Sequence, residues 1–75
     1  MTRNQILKAL EDTNVNIYAV GRDMVEIARY DEDGRIDPEA TEADAMEAAE
    51  VLNWNGYRAG WGGWVLKPKT NPINY

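Results

Sequence analysis

Three rhythms of apolar and polar positions follow one another along the chain. In the first, Ile6, Leu7 and Leu10 recur at helical spacing behind Thr2 and Gln5. Thr2 and Gln5 form a T-x-x-Q capping box, so a short amphipathic helix is predicted over about Arg3–Asp12, with Asn14 as its left-handed stop. The second rhythm, Val15–Tyr30, is rich in Val, Ile and Tyr. It predicts two strands, Val15–Val20 and Met24–Tyr30, around the turn Gly21-Arg22-Asp23. The same stretch also puts Ile17, Val20, Met24, Ile27 and Ala28 on one helical face, which leaves an all-α domain as the alternative. Gly21 inside that helix would cost about 1 kcal/mol relative to Ala.

The third rhythm, Asp37–Asn55, has the clearest conformational preference. Ala, Glu, Met and Leu dominate it, and these are strong helix formers. Asp37 suits the N-cap, Pro38 the first helical position and Asn55-Gly56 the stop, while Thr41 opens a second capping box. Ala45, Met46, Ala48, Ala49 and Leu52 fall on one face, and Asp44, Glu47 and Glu50 fall away from it. An alanine-rich face brings a helix backbone close to whatever it packs on. Beyond it, Gly56, Gly60, Gly62 and Gly63 deny the chain another helix. Tyr57-Arg58-Ala59 and Trp64–Lys67 read as short strands around a glycine turn, with Pro68 ending the second. The expected fold is α+β: helix, hairpin, helix and one or two short strands, with a small, mainly antiparallel sheet and the Asp37–Asn55 helix on one face. Residues 1–68 make one domain, and 69–75 an extended C-terminal tail.

Composition narrows the chemistry. The chain has 75 residues, without His, Cys or Ser. Serine and cysteine nucleophiles, an imidazole base and a His/Cys zinc site are therefore excluded. No cofactor or metal is expected. A domain this small also rarely encloses the cleft that a carboxylate pair needs for sugar chemistry. No apolar run approaches the ~20 residues that span a bilayer, and MTRNQILKAL lacks the apolar core of a secretory signal. A soluble, cytoplasmic protein is expected.

The net charge of −5 is unevenly spread: residues 31–50 hold nine acidic side chains and one basic, and residues 51–75 three basic and none acidic. Within the acidic run, Asp31, Asp33, Gly34 and Ile36 resemble part of an EF-hand calcium loop. Arg29 and Ala40 stand where that loop's first and last ligands belong, so calcium binding is not expected. The remaining acidic residues read as a solvated helix face, a steering surface formed by Asp44, Glu47 and Glu50, or a mimic of nucleic-acid phosphates.

All three tryptophans lie between residues 54 and 64 and Phe is absent, so some of these rings must fill the core. The core can hardly take Trp54, Tyr57, Trp61 and Trp64 together, and exposed Trp and Tyr are typical contact anchors. Stacking on single-stranded nucleic acid, with Arg58, Lys67 and Lys69 as phosphate contacts, is disfavoured by the acidic run alongside. From Thr41 to Lys69, the order of acidic alanine-rich helix, glycine turn and strand ending in proline is similar to small phage inhibitors of bacterial RNA polymerase. That similarity is one of pattern and carries no residue assignments. The expected function is binding without catalysis: an adaptor or inhibitor that meets a partner protein with a basic surface. Trp54, Tyr57, Arg58, Trp61 and Trp64 would form its contact patch. The alternative is an acidic phosphate mimic that blocks a nucleic-acid-binding protein.

Overall fold

The computed structural model describes residues 1–69. In chain order the elements are α1 (Arg3–Leu10), β1 (Ile17–Gly21), β2 (Met24–Ile27), α2 (Pro38–Leu52), β3 (Trp54–Arg58) and β4 (Trp64–Pro68). The four strands form one sheet in the order β1-β2-β4-β3, and every neighbouring pair is antiparallel. The predicted hairpin is present and the all-α alternative falls, but its strands are shorter than expected: the first starts at Ile17 rather than Val15 and the second ends at Ile27 rather than Tyr30. Asp23 makes the turn by adopting a left-handed φ of 51°, which Asp tolerates.

The capping signals fix the helix starts. Thr2 and Gln5 complete the capping box of α1, and the Asp37 side chain accepts the N–H of Ala40 at the start of α2, with Pro38 in the first turn. The ends differ from expectation. Helix α1 stops at Leu10 rather than Asp12, and Asn14 is not left-handed. Helix α2 stops at Leu52 because Asn53 takes the left-handed conformation, with φ 58° and ψ 47°. The expected stop, Asn55-Gly56, lies inside β3 instead. A single residue therefore turns the chain from helix to strand. Tyr30 and Ile36 close the intervening acidic loop with an isolated bridge.

Both helices lie on one face of the sheet. Ile6 and Leu10 from α1 and Ala45, Ala48 and Leu52 from α2 meet Val25, Ile27, Trp54 and Leu66 in one core. The fully buried Ala45 and Ala48 let α2 approach β3 and β4 closely. Helix α1 fills the other half of the helix layer, against β1 and one flank of α2. Among the described residues, no helix is long and apolar enough to cross a membrane. Nearly all of the predicted tail lies outside the described residues.

Candidate interaction surface

Strand alternation divides the sheet into two unlike faces. Val25, Ile27 and Leu66 point into the core, so their neighbours Glu26 and Val65 point the other way. The register places Ala19, Glu26, Val65 and Tyr57 side by side across the four strands. Among the described residues, no helix covers this row.

Trp61 joins it from the β3–β4 turn. That turn is closed by the Ala59 N–H to the Gly63 carbonyl at 2.8 Å and the Gly62 N–H to the Ala59 carbonyl at 3.1 Å. A Cβ on Gly63 would lie only 2.2 Å from the six-membered ring of Trp61. The ring thus occupies the space above a glycine, on the side of the sheet that Val65 shares. It continues to Tyr18, with ring centroids 4.8 Å apart and planes inclined by 39°. Tyr18, Tyr57 and Trp61 are 55%, 54% and 43% exposed. A bulge between Ile17 and Ala19 in β1 makes room for this geometry. Ile17 and Val20 both stay packed against the core, and the extra residue between them sends Tyr18 out to the open face.

The other candidates lie elsewhere. Trp54 is only 7% exposed and belongs to the core, which corrects its expected place in a contact patch. Trp64 is half-buried on the helix-covered face. Its ring lies 3.2 Å from where a Cβ on Gly56 would be, so Gly56 leaves it the space it needs. The Arg58 guanidinium sits 5.6 Å from the Trp64 ring centroid, within cation–π range. Its Nη2 also reaches Glu42 at 3.4 Å, an exposed pair worth little by itself. Beside Arg58 and Trp64, Ile36, Pro38 and the 59–62 turn enclose a shallow cleft of about 370 Å³. Trp61 and Tyr57 thus share one face with Tyr18, while Arg58 and Trp64 occupy the opposite side.

The acidic trio is divided as well. Asp44 is buried rather than solvated. Its Oδ2 accepts the Arg29 Nε–H at 2.7 Å and the Asn16 backbone N–H at 3.0 Å, and Arg29 also donates to the Asn14 carbonyl. Thr41 completes this lock, accepting the Arg29 N–H and donating to its carbonyl. Asp44 therefore clips α2 to the start of β1 and the end of β2, and it leaves the steering surface. Glu47 and Glu50 do face solvent, on the side of α2 that points away from the sheet. Met46, expected on the buried side, is 61% exposed. In the acidic loop, the Asp31 carboxylate accepts the N–H groups of Asp33 and Arg35. Gly34 supplies a φ of 79° there.

Tyr18 is the residue that sequence reading missed. Strict alternation pairs it with Val20, and only the bulge separates them. A signal was nevertheless present: a large aromatic between apolar neighbours in a strand with polar flanks. No family model matches the chain, and neither curated proteins nor solved structures provide a match to it.

Proposed function

We propose that this protein is a non-enzymatic binding module, an adaptor or inhibitor, that engages a partner protein through the open face of its sheet. The observation that carries this reading is the Tyr18–Trp61 pair with Tyr57 exposed on the same face of the sheet. Large rings with few rotatable bonds lose little conformational entropy on contact and expel much water. The pair is also pre-positioned, because the Trp61 ring rests above Gly63. The absence of His, Cys and Ser from the chain supports binding over catalysis.

The outer side of α2 favours a second reading. Glu39, Glu47 and Glu50 form an exposed acidic row there, suited to a basic nucleic-acid-binding surface. Affinity capture from the native host's lysate separates the two. The first reading expects a partner retained by the wild-type chain and lost by Trp61→Ala, with folding verified by circular dichroism. Retention by Trp61→Ala and Tyr57→Ala, with loss on charge reversal of Glu47 and Glu50, overturns it in favour of the phosphate mimic.

A further inference from the structure

The two edges of the sheet are protected very differently. At β1, the bulge between Ile17 and Ala19 breaks the ladder, and the Asn16 N–H just before it is taken by Asp44. At β3 the register with β4 is unbroken from Trp54 to Arg58, with no proline and no bulge. The Ala59 N–H bonds inward to Gly63, and inward and outward residues alternate along an antiparallel ladder. Asn55 and Tyr57 therefore bond to β4, while Trp54, Gly56 and Arg58 turn their N–H and C=O groups to the outer edge. Among the described residues nothing bonds to them there. An unprotected edge of this kind is a template for another strand.

Among the described residues, nothing covers the flank of the helix above that edge. Asp44 faces Asn16 and Arg29 on one side of α2, and Glu42 reaches Arg58 of β3 on the other. One turn from Glu42 on that second side stands Met46, exposed, followed by the half-buried Ala49. The β3 edge thus has an apolar shelf above it.

We infer that this combined edge is the dimerisation surface for a second copy of the chain, with β3 pairing antiparallel to β3 of its mate about a two-fold axis at Gly56. Three observations select a second copy over a lone extended peptide. First, the strand is self-complementary. With Gly56 opposite its own equivalent, Arg58 faces the mate's Trp54 and Tyr57 faces Asn55, so no like charges oppose each other. Second, α2 lies over β3 and β4. With strands about 4.8 Å apart, that puts the two α2 axes about 10 Å apart across the dyad, a normal helix-packing distance. Met46 of one copy then meets Ala49 of the other, contacts that a lone peptide would leave unmade. Third, the ends complement each other in charge. The Glu42 end of one helix meets the Asn53 end of its mate, where Lys69 is held by a 3.0 Å bond to Asn53. The result is a continuous eight-stranded sheet whose open aromatic face is doubled.

This inference is separable from the partner reading, because the Tyr18–Trp61 pair takes no part in it. Sedimentation equilibrium of the full chain from micromolar to millimolar concentration tests it, together with amide hydrogen exchange at both ends of that range. Mass should rise from 8.5 kDa toward twice that value as the Gly56 and Arg58 amides become protected. Met46→Glu sets two carboxylates against each other near the dyad, with Glu42 and Glu50 one turn away on each helix, and should weaken association by roughly a hundredfold. Its side chain is exposed in the monomer, so folding should be retained, and circular dichroism checks this. Trp61→Ala should dimerise as the wild type does. A chain that stays at 8.5 kDa throughout overturns the inference. So does association that survives Met46→Glu, fails in Trp61→Ala, or leaves the two amides unprotected.

Discussion

The two faces of the sheet carry aromatic residues of the same kind, from the same short segment, put to different uses. On the covered face Trp54 is surrounded by the core and Trp64 is wedged between Gly56 and Arg58. On the open face Trp61 and Tyr18 have each other and solvent, and Tyr57 is exposed beside them on the same face. The cause is parity. Trp54 and Trp64 occupy strand positions whose alternation points at α2, Tyr57 occupies the opposite parity, and Trp61 sits in a turn that glycine allows to fold back over Gly63. The same aromatic area thus stabilises the fold on one side and remains free for contact on the other.

The largest test of this contrast is Trp54→Ala. Emptying that buried site should cost about 3–5 kcal/mol, a large share of the roughly 5–10 kcal/mol available to a small domain. Urea unfolding measures it, and a cost like that of Trp61→Ala would erase the distinction between the faces. Trp61→Ala should cost only about 1 kcal/mol of stability, the worth of its pairing with Tyr18. Its loss of partner affinity should be about 2 kcal/mol or more, chiefly through faster release in surface-plasmon kinetics.

Asp44→Ala sharpens the contrast within the acidic set. It leaves the Arg29 and Asn16 donors without their acceptor and should destabilise by about 2 kcal/mol, while Glu50→Lys should stay within about 0.5 kcal/mol. Equal denaturation midpoints for the two variants would refute a structural role for Asp44. Gly63→Ala is subtler: its methyl would displace the Trp61 ring, at about 1 kcal/mol. The Tyr18 ring protons should lose their upfield shift in NMR spectra, and unchanged shifts would show that the pair does not depend on this glycine.

The smallest effect belongs to Glu47→Lys. Glu47 and the aromatic face point to opposite sides of a molecule 18 Å across in its thinnest direction, more than twice the Debye length of about 8 Å at physiological ionic strength. Association at the open face should therefore barely change at that salt and should differ only at low ionic strength. A large change at physiological salt would point to contact through α2.

Much of the architecture was legible because its signals are local. The Thr2–Gln5 box, the Asp37 cap with Pro38 and the β-branched run around Gly21 each act within a few residues, and each produced the element it predicts. The candidate site was legible only in part. Tyr57 and Trp61 could be named as exposed anchors, since the core could not take every ring. The split of Trp54 and Trp64 from them depends on strand register, which neighbouring strands set.

What the sequence determined by itself is therefore the set of elements, their capped starts and the exclusion of serine, cysteine and imidazole chemistry. Tertiary structure decided which side chains those elements present. Asp44 became a clip because Arg29 and the Asn16 N–H converge on it from distant parts of the chain, and their attraction to the carboxylate outweighs its solvation in that corner. Tyr18 reached the open face because Ile17 and Val20 both stay in the core, which only a bulge permits. Met46 stayed exposed because α2 lies over β3 and β4 and, among the described residues, nothing extends beyond β3. Each outcome rests on contacts between residues far apart in sequence, which hydrophobic rhythm along the chain does not encode.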